Sequence, residues 1–188
     1  MSVIIQVFLA VFGVMDPVGN VPVFLSLTEH RPKTEQQHLA TKAIWRAACI
    51  LIIFVLFGQA VLSFFQISLA SFRIAGGIIL GILGLQIVFG FPLNRETKGE
   101  EEDISVVPLA TPLIAGPGMI TSAVILAREY GYLVTIMAIA LNLILSKLLF
   151  NYAHLVVKIL GRKGTMAFAK VMGLIVTAIG VEFIRNSL

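Results

Sequence analysis

The sequence predicts an all-α integral membrane protein whose six transmembrane helices form two inverted repeats of three. Composition, charge-free runs and a repeated pattern of glycine and proline support this fold class. Of the 188 residues, 58% are hydrophobic and 13% are charged, about half the charged fraction of a soluble domain. The runs 47–72, 74–94 and 104–127 carry no charge, and each exceeds the roughly 20 residues that a helix needs to cross the hydrocarbon core.

Hydropathy places six spans along the chain. They are expected at residues 4–27, 43–65, 71–91, 104–127, 132–154 and 166–184. The first apolar run lacks the basic n-region of a signal peptide, so we interpret it as a retained span. The basic, partly apolar segment 154–165 is typical of a short helix at the membrane interface. The single cysteine, Cys49, excludes an internal disulfide.

Basic residues are distributed unequally across the predicted loops. One side receives ten of them, namely Arg31, Lys33, Lys42, Arg46, Arg95, Lys98, Lys158, Arg162, Lys163 and Lys170. The other side receives Arg73, Arg128 and Arg185. Because cytoplasmic loops are rich in Lys and Arg, we expect a multi-pass protein of the cell membrane with both termini outside the cytoplasm. Membrane orientation thereby accounts for the basic composition, and we expect no nucleic-acid partner.

Two related registers indicate an internal repeat of about half the chain. A shift of 96 residues places Gly77 and Gly84 on Gly173 and Gly180. A shift of 95 places the two prolines of the first span on the two prolines of the fourth. A unit of three spans crosses the membrane an odd number of times, so its second copy must be inverted, as in many secondary transporters. We therefore expect residues 1–94 and 95–188 to be two repeats of one transmembrane domain.

Paired prolines interrupt two of the spans. Pro17 and Pro22 lie in the first span, and Pro112 and Pro117 lie at the same spacing in the fourth. Proline removes a backbone donor and clashes with the preceding turn, and a single proline would suggest a simple kink. Two prolines with glycine between or beside them predict discontinuous helices near mid-membrane. Irregular backbone at that depth is tolerated only where it lines a cavity or is buried in protein.

The two interruptions define a candidate binding site. Asp16 is the only acidic residue near mid-membrane, where an unpaired charge is costly; it either caps the helix or also holds a substrate ammonium, a coupling proton or a sodium ion. Asp16-Pro17 and Thr111-Pro112 are typical of an N-cap followed by proline at the first helical position. Helix N-termini that converge from opposite faces would suit a small anion. The expected substrate-binding residues are Asp16, Gly19, Asn20, Thr111, Gly116, Gly118, Thr121 and Ser122.

Small residues lie near one face of the third and sixth spans. In the third span they are Gly77, Gly81 and Gly84; in the sixth they are Gly173, Thr177 and Gly180. Small residues at this spacing let membrane helices approach closely. The pattern predicts close helix packing, and the alternative is a sliding contact between moving parts.

The segments "DPVGNVPVFLSLT", "SFRIAGGIILGILGLQIVFG" and "ISVVPLATPLIAGPGMIT" resemble those of the MarC family of six-span membrane proteins. The resemblance covers the whole chain and implies a transporter of small neutral amino acids such as glycine, alanine or threonine. It carries over to Asp16, Pro17, Gly19, Asn20 and Pro22 in the first span, and to Thr111, Pro112, Gly116, Pro117 and Gly118 in the fourth. Thr111 departs from the family pattern, in which an apolar residue is expected, and its capping role is correspondingly weaker.

The leading hypothesis is a secondary transporter that works by alternating access and is coupled to a proton or sodium gradient. It needs no cofactor, and no nucleotide-binding loop is present. The alternatives are an exporter of other small metabolites or drugs, and a membrane protein that binds partners without transport. An enzyme is disfavoured because the chain has two aspartates, one of them in a loop, and no clustered metal ligands. The sequence leaves open whether the protein forms a homo-oligomer.

Overall fold

A computed structural model describes residues 2–28, 31–90 and 114–188 of the chain. All regular secondary structure in these ranges is helical. The helices are α1 (Val3–Met15), α2 (Asn20–Thr28), α3 (Lys33–Phe64), α4 (Leu69–Phe89), α5 (Pro117–Tyr130), α6 (Tyr132–Asn151) and α7 (Ala153–Arg185). Thr111 and Pro112, and with them the first part of the predicted fourth span, lie outside the described residues.

The predicted interruption of the first span is present. Helix α1 ends at Met15 and α2 begins at Asn20, because Asp16 adopts the left-handed conformation, with φ 42° and ψ 62°. Pro22 is the third residue of α2, where its missing N–H is one that the helix would leave unpaired in any case. The proline pair therefore coincides with a new helix start.

Within residues 2–28, 31–90 and 114–188, four helical segments are long and apolar enough to cross a membrane. They are Lys33–Phe64, Leu69–Phe89, Tyr132–Asn151 and the Lys163–Arg185 part of α7. Helix α3 begins ten residues before the predicted span, which started at residue 43, since the preceding Lys, Glu and Gln residues are good helix formers. The apolar helix α1 is shorter. The protein is thus an all-helical, multi-pass membrane protein over the residues described.

Helix α7 contains a sharp turn at Gly161, whose φ of 70° and ψ of 161° are not helical. The turn separates residues 153–160 from the apolar segment that follows. Only glycine adopts such a conformation readily. The short helix predicted over 154–165 therefore exists from Ala153 onward and ends at this glycine.

Helix α5 lies at the centre of the molecule. Every residue from Thr121 to Ala127 is buried, and α5 packs against α1, α3, α4 and α6. Large apolar side chains such as Phe57, Leu133 and Leu174 are instead exposed on the outer helices. An apolar exterior around a buried central helix is typical of a protein surrounded by lipid.

Glycines bring α4 and α7 into close contact. A Cβ added at Gly77 would lie 2.5 Å from the carbonyl oxygen of Gly180, and one added at Gly84 would lie 2.5 Å from that of Gly173. Gly81 departs from the predicted packing role, because a Cβ there would meet nothing within 4 Å. Its backbone nitrogen borders Gly180, but its missing side chain points away from α7.

Candidate functional site

Asp16 joins the end of α1 to the start of α2. Its side chain is buried, at 6% exposure, and Oδ1 accepts the N–H of Gly19 at 3.0 Å. The N–H of Asn20 donates to the Asp16 carbonyl oxygen at 3.1 Å. This is the hydrogen bond of an N-cap, but α2 begins only at Asn20. Asp16 therefore caps the turn before the helix, and Pro17 is not the first helical residue as predicted. The same residue also closes α1, which explains its left-handed backbone, a conformation that Asp tolerates better than most residues.

Asn20 completes the exchange of hydrogen bonds at the break. In an unbroken helix, the Gly19 N–H would donate to the Met15 carbonyl oxygen. Here that N–H goes to Asp16, and the Asn20 side-chain amide donates to the Met15 oxygen at 2.8 Å. An orphaned backbone group at membrane depth costs several kcal/mol. The Asp16 and Asn20 side chains therefore substitute for the helix ladder where it is interrupted.

Gly19 lets the helix break lie close to α7, because it has no side chain. A Cβ at this position would overlap the Asp16 carboxylate and would lie 2.9 Å from the Cβ of Ala169 on α7. Six residues earlier, near the end of α1, Gly13 faces Ile175 and Ile179 of α7. The Asp16 carboxylate thus lies against Gly19 beside α7, at a position where no larger residue than glycine fits.

Helix α6 contributes polar side chains that the sequence reasoning missed. Asn142 is fully buried and donates to the carbonyl oxygen of Phe8 on α1 at 3.2 Å. Its Oδ1 is buried without a hydrogen-bond partner among the described residues. Ser146, one turn on, lies 3.5 Å from the sulfur of Met15. The available signal was their spacing of four residues within an apolar span, which places both on one helix face.

The described part of the fourth span begins its helix at the second proline. Gly116 is the N-cap of α5 and Pro117 is its first residue. The hydroxyls of Thr121 and Ser122 each donate at 2.9 Å to a carbonyl of their own helix, four residues back. Both are predicted substrate-binding residues. In an apolar environment, such back-bonding satisfies the hydroxyl donor locally, so only the oxygen lone pairs are left to accept.

The helix starts at the two interruptions differ in which backbone N–H groups lack a hydrogen-bond partner. At the first, Gly19, Asn20 and Val21 all donate their N–H groups within the turn. At α5, helix geometry leaves the N–H groups of Gly118 and Met119 without an intrahelical partner. Of these N–H groups, those left free by helix geometry therefore lie at the start of α5. The predicted start at Thr111-Pro112 lies outside the described residues.

The structure divides the predicted site residues between two sets of neighbours. Asp16, Gly19 and Asn20 form one cluster, which faces α7, and the adjoining turn of α1 faces α6. The α5 residues face α4, where Gly118 lies against Leu80 and Thr121 against Gly76. In the described ranges, no hydrogen bond or ion pair joins the two sets.

Asp16 has no cationic partner in the part of the chain that the structure describes. The ion pairs found there are Arg31–Glu35, Arg73–Glu129 and Arg185–Glu182. A buried carboxylate within a membrane-spanning segment is normally paired or functional. Asp16 Oδ1 has its backbone donor, whereas Oδ2 has no hydrogen-bond partner among these residues. The arrangement can therefore accept a cation or a proton.

Comparisons with known proteins cover the whole chain. The model of the MarC family, described as integral membrane proteins, matches residues 1–188. The chain is 40% identical to the UPF0056 membrane protein MJ1677 of Methanocaldococcus jannaschii, over 98% of this chain and 95% of that protein. It is 36% identical to the UPF0056 membrane protein YhcE of Escherichia coli, over 94% of this chain and 87% of that protein. No solved structure gives a significant match. A match over this length at these identities shows that the chain belongs to the MarC family of integral membrane proteins.

Proposed function

We propose that this protein is a secondary transporter of small neutral amino acids, such as glycine, alanine or threonine, and that Asp16 is its central binding residue. The observation that carries the proposal is the buried Asp16 carboxylate at a broken helix, with one oxygen unpartnered among the described residues. Broken helices whose ends supply ligands to a substrate are a recurrent feature of secondary transporters.

The chemistry of the break suits a zwitterion. Asp16 Oδ2 would hold the substrate ammonium, or alternatively the coupling proton or sodium ion. The N–H groups of Gly118 and Met119, at the positive end of the α5 dipole, would hold the substrate carboxylate. Gly19 and Gly116 flank these groups with no side chain, which favours a small substrate. No cofactor is required by this scheme.

We further propose that six spans form two inverted repeats, residues 1–94 and 95–188. Reciprocal contacts support this architecture: Gly77 meets Gly180, and Gly84 meets Gly173. Shifting the first pair by 96 residues and exchanging the helices produces the second pair, as a two-fold axis between α4 and α7 requires. The packing of α2 on α7 and of α5 on α4 is related in the same way.

This symmetry suggests how access would alternate. The contact between α4 and α7 would lie on the two-fold axis. In one arrangement, each broken span would pack against the long helix of the opposite half. In the other arrangement, it would pack against the long helix of the same half. Exchange of the two arrangements would open the site first to one side and then to the other. The unequal distribution of basic residues supports an orientation with both termini outside the cytoplasm.

The decisive experiment is uptake of labelled glycine and alanine into proteoliposomes, with and without a proton or sodium gradient. Wild type is compared with Asp16→Asn, in which the amide oxygen still accepts the Gly19 N–H but the charge is gone. Glu182→Gln is the matched control, since it removes a carboxylate that pairs with Arg185 at 2.6 Å on the surface.

We expect gradient-driven uptake in wild type and in Glu182→Gln, and its loss in Asp16→Asn. Thermal stability of Asp16→Asn should stay near that of wild type, because the cap is retained. Uptake that persists in Asp16→Asn would assign this residue a purely structural role. The absence of amino-acid movement under every gradient would overturn the proposed transport activity.

A further inference from the structure

A cavity of about 260 Å³ lies away from the helix break, where α3 begins and α6 passes into α7. Its lining consists of Lys33, Gln36, Gln37, Phe150, Asn151, Tyr152, His154, Leu155 and Lys158. Two lysines and a histidine therefore surround the cavity, and none of the lining residues that the structure describes is acidic. The positive potential of such a lining favours an anionic ligand.

Three helix ends border the cavity. Gln36 is held by hydrogen bonds from its side-chain amide to the carbonyl oxygens of Thr28 and Arg31, both at 3.0 Å. These bonds fix the first turn of α3, a helix of 32 residues whose N-terminus carries a partial positive charge. The N-terminus of α7 follows directly after Tyr152. The starts of α3 and α7 thus border the same cavity as the two lysines, and so does the C-terminal end of α6 at Asn151, whose partial negative charge opposes theirs. The positive potential therefore comes from the basic side chains.

The cavity also contains an unused acceptor. Asn151 Oδ1 is buried and has no hydrogen-bond partner among the residues that the structure describes. A buried acceptor without a donor is costly, and a rotation of the Asn151 side chain toward the cavity would let a ligand hydroxyl satisfy it. An anion that also carries a hydroxyl group is therefore favoured over a bare anion.

An apolar surface continues from the mouth of the cavity. Leu155 lines the cavity and is 52% exposed, and Ile159, one helical turn further on the same face, is 71% exposed. Tyr152, whose ring is amphipathic, is also exposed at the rim. Aromatic residues of this kind are enriched at membrane interfaces. A ligand that combines an anionic head group with an acyl chain matches both surfaces.

We propose that this cavity binds the head group of an anionic phospholipid, with phosphatidylglycerol as the preferred species. The phosphate lies between Lys33, His154 and Lys158, and the glycerol hydroxyls donate to Asn151 Oδ1 once that side chain has turned toward the cavity. The acyl chain covers Leu155 and the apolar face that follows. Basic pockets between transmembrane helices are a general site for anionic head groups. The bound lipid would stabilise the contact between the start of α3 and the junction of α6 and α7.

The test is native mass spectrometry of the purified protein with phosphatidylglycerol and with phosphatidylcholine of the same acyl chains. The variant Lys33→Gln/Lys158→Gln is compared with Lys163→Gln/Lys170→Gln, which removes two exposed lysines of α7 outside the cavity. We expect selective retention of phosphatidylglycerol. Each cavity lysine should contribute about fivefold to affinity, equivalent to ~1 kcal/mol per charge, and the control pair should not change it.

A second comparison separates a lipid from a free anion. Inorganic phosphate and glycerol phosphate are added in competition, and Ile159→Asn is tested beside the lysine variants. Weak competition and a loss of lipid binding in Ile159→Asn support the lipid. Competition by inorganic phosphate as strong as by lipid would instead identify a free-anion site. Equal retention of both lipids, or an unchanged lysine variant, would overturn the proposal; Lys158→Gln alone serves if the double variant does not fold.

Discussion

Alanine at Gly84 should destabilise the protein, whereas alanine at Gly81 on the same helix should not. A Cβ at Gly84 would lie 2.5 Å from the carbonyl oxygen of Gly173 and would also overlap the hydroxyl and backbone nitrogen of Thr177. Backbone atoms cannot rotate away, so α4 and α7 must separate. A Cβ at Gly81 would meet nothing within 4 Å, and no movement is needed.

The matched pair isolates the cost of the contact. Both variants gain the same intrinsic helix propensity, up to about 1 kcal/mol for Gly to Ala in a helix interior. To reach ordinary van der Waals distance, the Gly84 contact must widen from 2.5 Å to about 3.4 Å. Overpacking of this kind typically costs about 1–3 kcal/mol. That cost should therefore be the whole difference in unfolding free energy between the two variants.

The assay is thermal unfolding of purified protein in one detergent, followed by the loss of the monodisperse peak in size-exclusion chromatography. For a chain of this size, the expected cost corresponds to a Tm difference of about 2–12 °C, with Gly81→Ala at or above wild type. Equal Tm values for Gly84→Ala and Gly81→Ala would refute the close α4–α7 contact. A Tm below wild type for Gly81→Ala would contradict the open space at that position.

Three further outcomes test the helix break, an ion pair and membrane burial. Gly19→Ala should lower the Tm because its Cβ overlaps the Asp16 carboxylate, whereas Gly13→Ala, 3.3 Å from a movable Ile175 side chain, should be tolerated under the same assay. Reversing Arg73 to Glu should lower the Tm, and adding Glu129→Arg should restore it, because the two side chains form an ion pair between α4 and α5; failure of the double swap would argue against that pair. Cys49 is exposed on α3 within a membrane-spanning segment, so a charged maleimide should label it only after denaturation, and labelling in intact membranes would contradict this placement.

The helix break was predictable because proline acts locally. Pro17 and Pro22 cannot donate a backbone hydrogen bond to a helix, whatever surrounds them. The structure accordingly has an interruption of the helix between Met15 and Asn20. The capping role of Asp16 followed from its position before proline. Boundaries set by weak propensities were less predictable: polar residues from Lys33 onward extend α3 well beyond its apolar segment.

Features that depend on tertiary neighbours could not be read from the chain. Gly77, Gly81 and Gly84 share a helical spacing, but the rotation of α4 against α7 decides which of them needs to be glycine. Thr121 and Ser122 were expected to face a ligand, and their donors are used within α5. These outcomes reflect helix orientation and local competition for hydrogen bonds, on which composition and spacing carry little information.

The hydrogen bonds at the break explain why Asp16→Asn separates structure from charge. The cap uses Oδ1, which an asparagine oxygen can replace against the Gly19 N–H. The second position then changes from a carboxylate oxygen to an amide NH₂, and an acceptor becomes a donor. A substrate ammonium or a coupling cation would meet a repelling dipole where wild type offers a negative charge. Asn20 and the new amide oxygen would still form the hydrogen bonds at the helix break. A loss of transport at unchanged stability could therefore come only from the side-chain position that Oδ2 occupies in wild type.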